Sequence, residues 1–184
     1  MASSPLSGTP MGGFVARAFR DRPTLASLVL LIGLATIAGA WGFELIGGYV
    51  PCKLCLEQRD PYYWGLPLIA IAIIADRFGG PAWLARVALV AGAAILVYGA
   101  GLGVYQSGAE WGFWAGPTDC GATRGGTIPG SATDLLGSLD KVKIVDCTKV
   151  QFRLLGLSFA GWNVVAASIV ALGALRAAML PRRG

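Results

Sequence analysis

The chain contains no histidine. That absence removes the imidazole base, the Ser-His-Asp triad and every histidine metal ligand from the available mechanisms. Charge is scarce as well: 14% of the 184 residues are charged, against about 25% in soluble domains. With 55% hydrophobic residues and a mean hydropathy of +0.63, the balance is that of a polytopic membrane protein. The net charge of +5 does not point to nucleic acid, because the basic residues are scattered around the hydrophobic segments and form no stripe. Cysteine is limited to four residues. No βαβ pattern accompanies them, which excludes a thioredoxin fold.

What is present is four apolar stretches, 24–46, 56–75, 83–105 and 154–175. Each is close to the ~20 residues that a spanning helix needs. Glycine and alanine are dense in all four, as at Gly33, Gly39, Gly99, Gly101 and Gly103, and small residues let membrane helices pack closely. The expected fold is an all-α membrane protein: one integral domain over residues 1–184, built as a bundle of four transmembrane helices. Arg17, Arg20 and Arg22 before the first stretch, and Ala38-Gly39-Ala40 within it, imitate a cleaved signal peptide. The stretch is longer than the roughly 7–15 residues of a signal-peptide core, so it is expected to remain as a span.

Basic residues favour the cytoplasmic side. The N-terminus, the turn 76–86 and the C-terminus carry Arg17, Arg20, Arg22, Arg77, Arg86, Arg176, Arg182 and Arg183. The opposite side, loops 47–60 and 107–153, is much longer, and its acids balance its bases. Both termini are therefore expected in the cytoplasm and both loops on the outer side of the membrane. All four cysteines fall in those two loops, where disulfides persist.

Cys52 and Cys55 form a C-x-x-C within Pro51-Cys52-Lys53-Leu54-Cys55-Leu56-Glu57-Gln58-Arg59. Proline suits a helix start. A helix beginning here predicts Cys52, Cys55 and Arg59 on one stripe, at i, i+3 and i+7. The helix N-terminus and the nearby cation would both favour a thiolate. Cys55 lies 21 residues before Asp76, roughly 32 Å of helix, which puts it at the outer membrane surface with Arg59 about 6 Å deeper. An arginine at that depth needs a polar partner, and a quinone headgroup, whose oxygens accept hydrogen bonds, would serve. The alternatives are that Arg59 snorkels to the interface or pairs with Glu57 or Glu44. A zinc site would want a second close cysteine pair, whereas Cys120 and Cys147 are far apart; no metal is expected. Pro61 and Pro67 interrupt the second span early. Tyr62, Tyr63 and Trp64 form an interfacial belt or wall a ring-shaped ligand.

The loop 107–153 is too long for a plain connection. Trp111, Phe113 and Trp114 are expected interface anchors. Within 131–143, Ser131 and Asp134 suggest a cap, and Leu135, Leu136, Leu139 and Val142 share one helical face. This predicts a short helix on the membrane surface, close to Cys147.

The Pro51–Arg59 run, Gly116-Pro117-Thr118-Asp119-Cys120, and Cys147 followed by Gln151-Phe152-Arg153-Leu154-Leu155-Gly156-Leu157-Ser158 together resemble the disulfide bond formation protein B (DsbB) family of bacterial inner-membrane thiol oxidases. The resemblance runs from the first span to the last. It implies a thiol:quinone oxidoreductase with Cys52, Cys55, Cys120 and Cys147 as redox residues, and with Arg59 and Cys55 at a bound ubiquinone or menaquinone. It implies a resting Cys120–Cys147 disulfide that a DsbA-like thioredoxin-fold periplasmic carrier attacks at Cys120. Cys147 then attacks Cys52, and Cys55 passes electrons to the quinone. The implied surroundings are membrane lipid and the carrier, with the oxidase itself monomeric. Many relatives place a histidine after the third span; here Tyr105-Gln106-Ser107-Gly108-Ala109-Glu110 leaves proton delivery to water, Gln106, Glu110 or Glu44. Glu57 and Gln58 receive no fixed role. Two other readings are a vitamin K epoxide reductase-like enzyme and a non-enzymatic membrane protein with structural disulfides. In the first of these families the loop cysteines precede the C-x-x-C, the reverse of the order here. The nearly apolar middles of the spans argue against a transporter.

Overall fold

The computed structural model describes residues 20–116, 122–123, 144–145, 150 and 152–182. Cys120, Cys147 and the expected surface helix 131–143 lie outside the described residues. The chain is mostly helical. Among the described residues, four long helices, α1 (Arg22–Leu45), α3 (Asp60–Arg77), α4 (Ala82–Glu110) and α5 (Phe159–Met179), are accompanied by a short α2 (Lys53–Glu57). Each long helix packs on two others, so that α1, α3, α4 and α5 follow one another around a ring. The helices α1, α4 and α5 are long and apolar enough to cross a membrane; α3 spans 18 residues and carries Asp60, Asp76 and Arg77 at its ends.

Inside the ring the core is aliphatic and small: Leu25, Val29, Ile69, Leu89, Leu96 and Val170 pack among alanines of α4 and α5. Large apolar side chains such as Leu31, Trp64 and Leu172 point outward, as they must in a bundle whose solvent is lipid. Close approach depends on Gly65 and Gly92, where a Cβ on either would lie 3.0–3.2 Å from the other's carbonyl oxygen. At one end, Arg22 is buried against Asp76 (3.0 Å) and donates from Nε and Nη2 to the Leu180 carbonyl. The start of α1 and the ends of α3 and α5 are thereby tied together.

The second expected span is broken where the sequence predicted continuity. The residues Lys53–Glu57 make one short helix, Gln58 and Arg59 turn, and a new helix starts at Asp60. Pro61 is the reason: it offers no N–H to the Glu57 carbonyl and its ring would clash there. Cys52, Cys55 and Arg59 therefore do not share one helix. The fourth span begins at Phe159 rather than 154. Residues Arg153–Leu154 and Leu157–Ser158 form a tight antiparallel hairpin, turned by Leu155 (φ 53°) and Gly156 (φ 85°). Two successive positive φ angles are the mark of a two-residue hairpin turn. Ser158 then caps α5, its Oγ accepting from the Gly161 N–H at 3.2 Å. A second antiparallel pair joins Ala122–Thr123 to Ile144–Val145.

Candidate functional site

Cys52 is the N-cap of α2. Its backbone is extended and its Sγ accepts from the Cys55 N–H at 3.2 Å. This places the second sulfur over the first turn, with the two Sγ atoms 2.6 Å apart. The pair lies at the end of the bundle opposite Arg22 and Asp76, outside the long helices. Cys52 is buried and Cys55 partly accessible.

The two thiols are unequal. The hydrogen bond to Cys55, together with burial, pushes the Cys52 thiol far up. The same hydrogen bond, received from Cys52, lowers Cys55 to about 7 against the opposing effect of burial; the Gln106 amide helps, and the Glu110 charge resists. Cys55 is thus the thiolate of the pair near neutral pH and Cys52 retains its proton.

Arg59 reaches the same place from the α2–α3 turn. Its Nη1 donates to Glu44 Oε2 at 2.6 Å and its Nη2 to the Ala40 carbonyl at 3.4 Å. The guanidinium also sits 5.2 Å from the Trp41 ring centre, within cation–π range. The pairing with Glu44, one of the alternatives open in the sequence, is the one observed. A buried ion pair is retained because either partner alone would be an unpaired charge.

Sequence reasoning named Gln106 only as a candidate for proton delivery and missed the amide chain that it belongs to. Gln106, on α4, donates from Nε2 to Cys55 Sγ (3.5 Å), Cys52 Sγ (3.7 Å) and Glu110 Oε1 (3.1 Å). Gln58 Nε2 donates to Gln106 Oε1 at 2.5 Å, and Asn163 Nδ2 on α5 donates to Gln58 Oε1 at 2.7 Å. The Tyr62 hydroxyl donates to Asn163 Oδ1 at 2.9 Å. Any signal in the sequence was faint: isolated amides, one near each of three helix ends, that only the fold brings together.

Cys52, Cys55, Glu44, Arg59, Gln106 and Glu110 all line one cavity of about 360 Å³, within the ~300–1,000 Å³ usual for ligand sites. Its far wall is aromatic. Phe43, Tyr49, Phe152 and Phe159 meet with ring centres 4.9–6.2 Å apart. The cavity continues down α1 past Ala35, Thr36 and Gly39. Glu110 Oε2 is buried with no hydrogen-bond partner among the described residues. Among the described residues no cluster of acidic residues and cysteines could hold a metal ion.

Comparison with known proteins agrees with this arrangement. The sequence model of the disulfide bond formation protein DsbB family matches residues 22–177. The chain belongs to the DsbB family. Disulfide bond formation protein B of Albidiferax ferrireducens is 29% identical over 161 residues, covering 85% of this chain and 86% of that protein. The protein of the same description from Polaromonas naphthalenivorans is 28% identical over 160 residues, 82% of this chain and 87% of its own length. No solved structure matches. DsbB membership, together with three helices able to cross a membrane, makes this a membrane oxidoreductase of disulfide bond formation.

Proposed function

We propose that the protein is a thiol:quinone oxidoreductase that reoxidises a DsbA-like periplasmic dithiol carrier. The observation that carries this reading is the cavity in which a thiolate-forming Cys55, Arg59 and the orphaned Glu110 oxygen meet an aromatic wall. The residues fit a quinone. The rings suit a flat headgroup, and Arg59 supplies N–H donors for its oxygens. Glu110 Oε2 offers an acceptor, and the open track along α1 suits an isoprenoid tail.

When bound, the quinone supplies an acceptor for two electrons and two protons. The chain's own residues do the rest. A carrier thiolate attacks Cys120 of the Cys120–Cys147 disulfide and releases Cys147 as thiolate. Cys147 attacks Cys52 and releases Cys55, the lower-pKa sulfur and so the better leaving group. The carrier's second thiol closes the carrier disulfide and frees Cys120, which recaptures Cys147 and frees Cys52. The Cys52–Cys55 dithiol then closes to a disulfide, giving up its two electrons and two protons. Arg59 holds charge at the acceptor's oxygen, and Glu110 is placed to hold a proton in transit.

Two details support the loop chemistry. Ala122 pairs with Val145, and Cys120 and Cys147 each stand two residues from that pair in the sequence. Val150 and Phe152 line the dithiol cavity, and Cys147 precedes Val150 by three residues in the sequence. The topology that goes with this reading has four spans, α1, α3, α4 and α5, with both termini in the cytoplasm and with α2 and the thiols at the outer surface.

The test is turnover by purified protein, followed as quinone reduction by a reduced dithiol carrier. Cys55→Ser is expected to abolish it. Arg59→Ala is expected to raise the quinone KM about 10–100-fold, the worth of one charged hydrogen bond. Full quinone-dependent turnover in Cys55→Ser would sink the proposal.

A further inference from the structure

The amide chain has a direction, and the direction is set far from the sulfurs. Asn163 Nδ2 faces the Gly99 carbonyl (3.5 Å) as well as Gln58 Oε1. A backbone carbonyl can only accept, so the NH₂ group of Asn163 must lie on that side and its Oδ1 must turn to the Tyr62 hydroxyl. Gln58 is then obliged to present oxygen to Asn163 and nitrogen to Gln106. Gln106 must accept from Gln58 and so turns its own NH₂ group to the thiols. The carboxylate of Glu110 at the far end accepts from that same NH₂ group. Every member is satisfied in one orientation only, and reversing any one of them leaves two oxygens or two NH₂ groups face to face.

We infer that Asn163 and Gln58 are positioning residues that hold the Gln106 amide with its N–H donors toward Cys55, making Gln106 the neutral group that stabilises the reacting thiolate. The inference rests on the proposed reaction only in taking Cys55 as the reacting sulfur. The Gln106 oxygen, 3.8 Å from Cys55 Sγ, is further away than the nitrogen and is already occupied by Gln58. An amide donor favours the charged form of the sulfur it faces, and an amide oxygen favours the protonated form. The lowering of Cys55 by Gln106 has this sign. The other titratable or charged groups sharing the cavity with Cys55 are Cys52, Glu44, Tyr49, Arg59, Tyr62 and Glu110. None of them is altered by the test below.

The test uses the full-length reduced protein without quinone, so that it stands apart from turnover. The rate of Cys55 alkylation, read on its own peptide by mass spectrometry, is measured against pH. In Asn163→Asp an acceptor replaces the NH₂ group, and the chain can be satisfied only if Gln58 and Gln106 both turn over. The alkylation midpoint is expected to rise by about half a pH unit or more. In a Gln106→Leu background the same substitution is expected to shift the midpoint by less than half as much, because the route through the amide is gone. A shift that keeps more than half its size there, or no shift in the parent, overturns the inference: the first would be the through-space effect of a new charge, the second the absence of coupling. If Asn163→Asp does not fold, Gln58→Glu taken through the same cycle decides the matter by the same two outcomes.

Discussion

One sulfur of the pair is poised as a thiolate and the other keeps its proton, and the difference comes from where each sits in a single helical turn. Cys52 is buried and holds its proton; Cys55 is partly open and loses its own near pH 7. Only the thiolate is nucleophilic. A lowered pKa means that thiolate persists below the ordinary thiol range, so Cys55 alkylation is expected to rise with pH through a midpoint near 7 and to be level above it. Cys52 is expected to stay unmodified over the same range, a contrast that peptide mapping after a brief iodoacetamide pulse will show. Replacing Gln106 by Leu removes a donor and should move the Cys55 midpoint upward. The C-x-x-C and Arg59 were legible in the sequence as residue types with a purpose. Their partners were not. Gln106 and Asn163 stand far along the chain from the dithiol, and nothing about an isolated amide says which atom it will face. Glu44 could be named only as one of two candidate partners for Arg59.

At the scale of elements, hydropathy marked the helices well because lipid demands long apolar runs, and α1 and α4 lie within a few residues of their expected starts. The errors came from local backbone chemistry. Pro61 splits the second segment, and the Leu155-Gly156 turn spends residues 154–158 on a hairpin before α5 begins. Hydropathy has no access to either, since both are matters of φ and of a missing N–H. Pro61 matters beyond the break, because it is the point against which α4 rests. A Cβ placed on Gly99 would lie 2.8 Å from the Pro61 ring. Gly99→Val is therefore expected to push α3 from α4 beside the Gly99 carbonyl that Asn163 uses. The predicted cost is about 1–3 kcal/mol of stability, seen as a lower denaturation midpoint, together with a higher quinone KM because the cavity wall moves.

For the whole molecule, the two ends of the bundle do different work. The thiol end is cut by a cavity, a turn and a hairpin, while the far end is closed by Arg22. That guanidinium is 1% exposed, as is the Asp76 side chain it meets, and it also holds the Leu180 carbonyl through two N–H groups. Removing one partner of such a pair leaves a buried charge unmatched. Arg22→Met is expected to cost about 3–5 kcal/mol, read as a drop in thermal midpoint in detergent. The quinone KM measured well below that midpoint is expected to stay at its parent value. A matching change in KM would mean that the ends are coupled. Basic residues before the first span carry a topological signal in the sequence; that one of them is buried and binds two other helices has no counterpart in composition.

The cap on α2 is itself redox chemistry waiting to happen. In the proposed reaction, the atom that accepts the Cys55 N–H is also the atom that Cys147 attacks. Once Cys52 is engaged elsewhere, the turn that follows loses its clasp, at a cost of about 1 kcal/mol for a missing cap. The freed N–H is left beside Cys55 just when that sulfur has gained an electron pair. Bond exchange at one residue is thereby expected to loosen its neighbour's backbone and to hand that neighbour a donor.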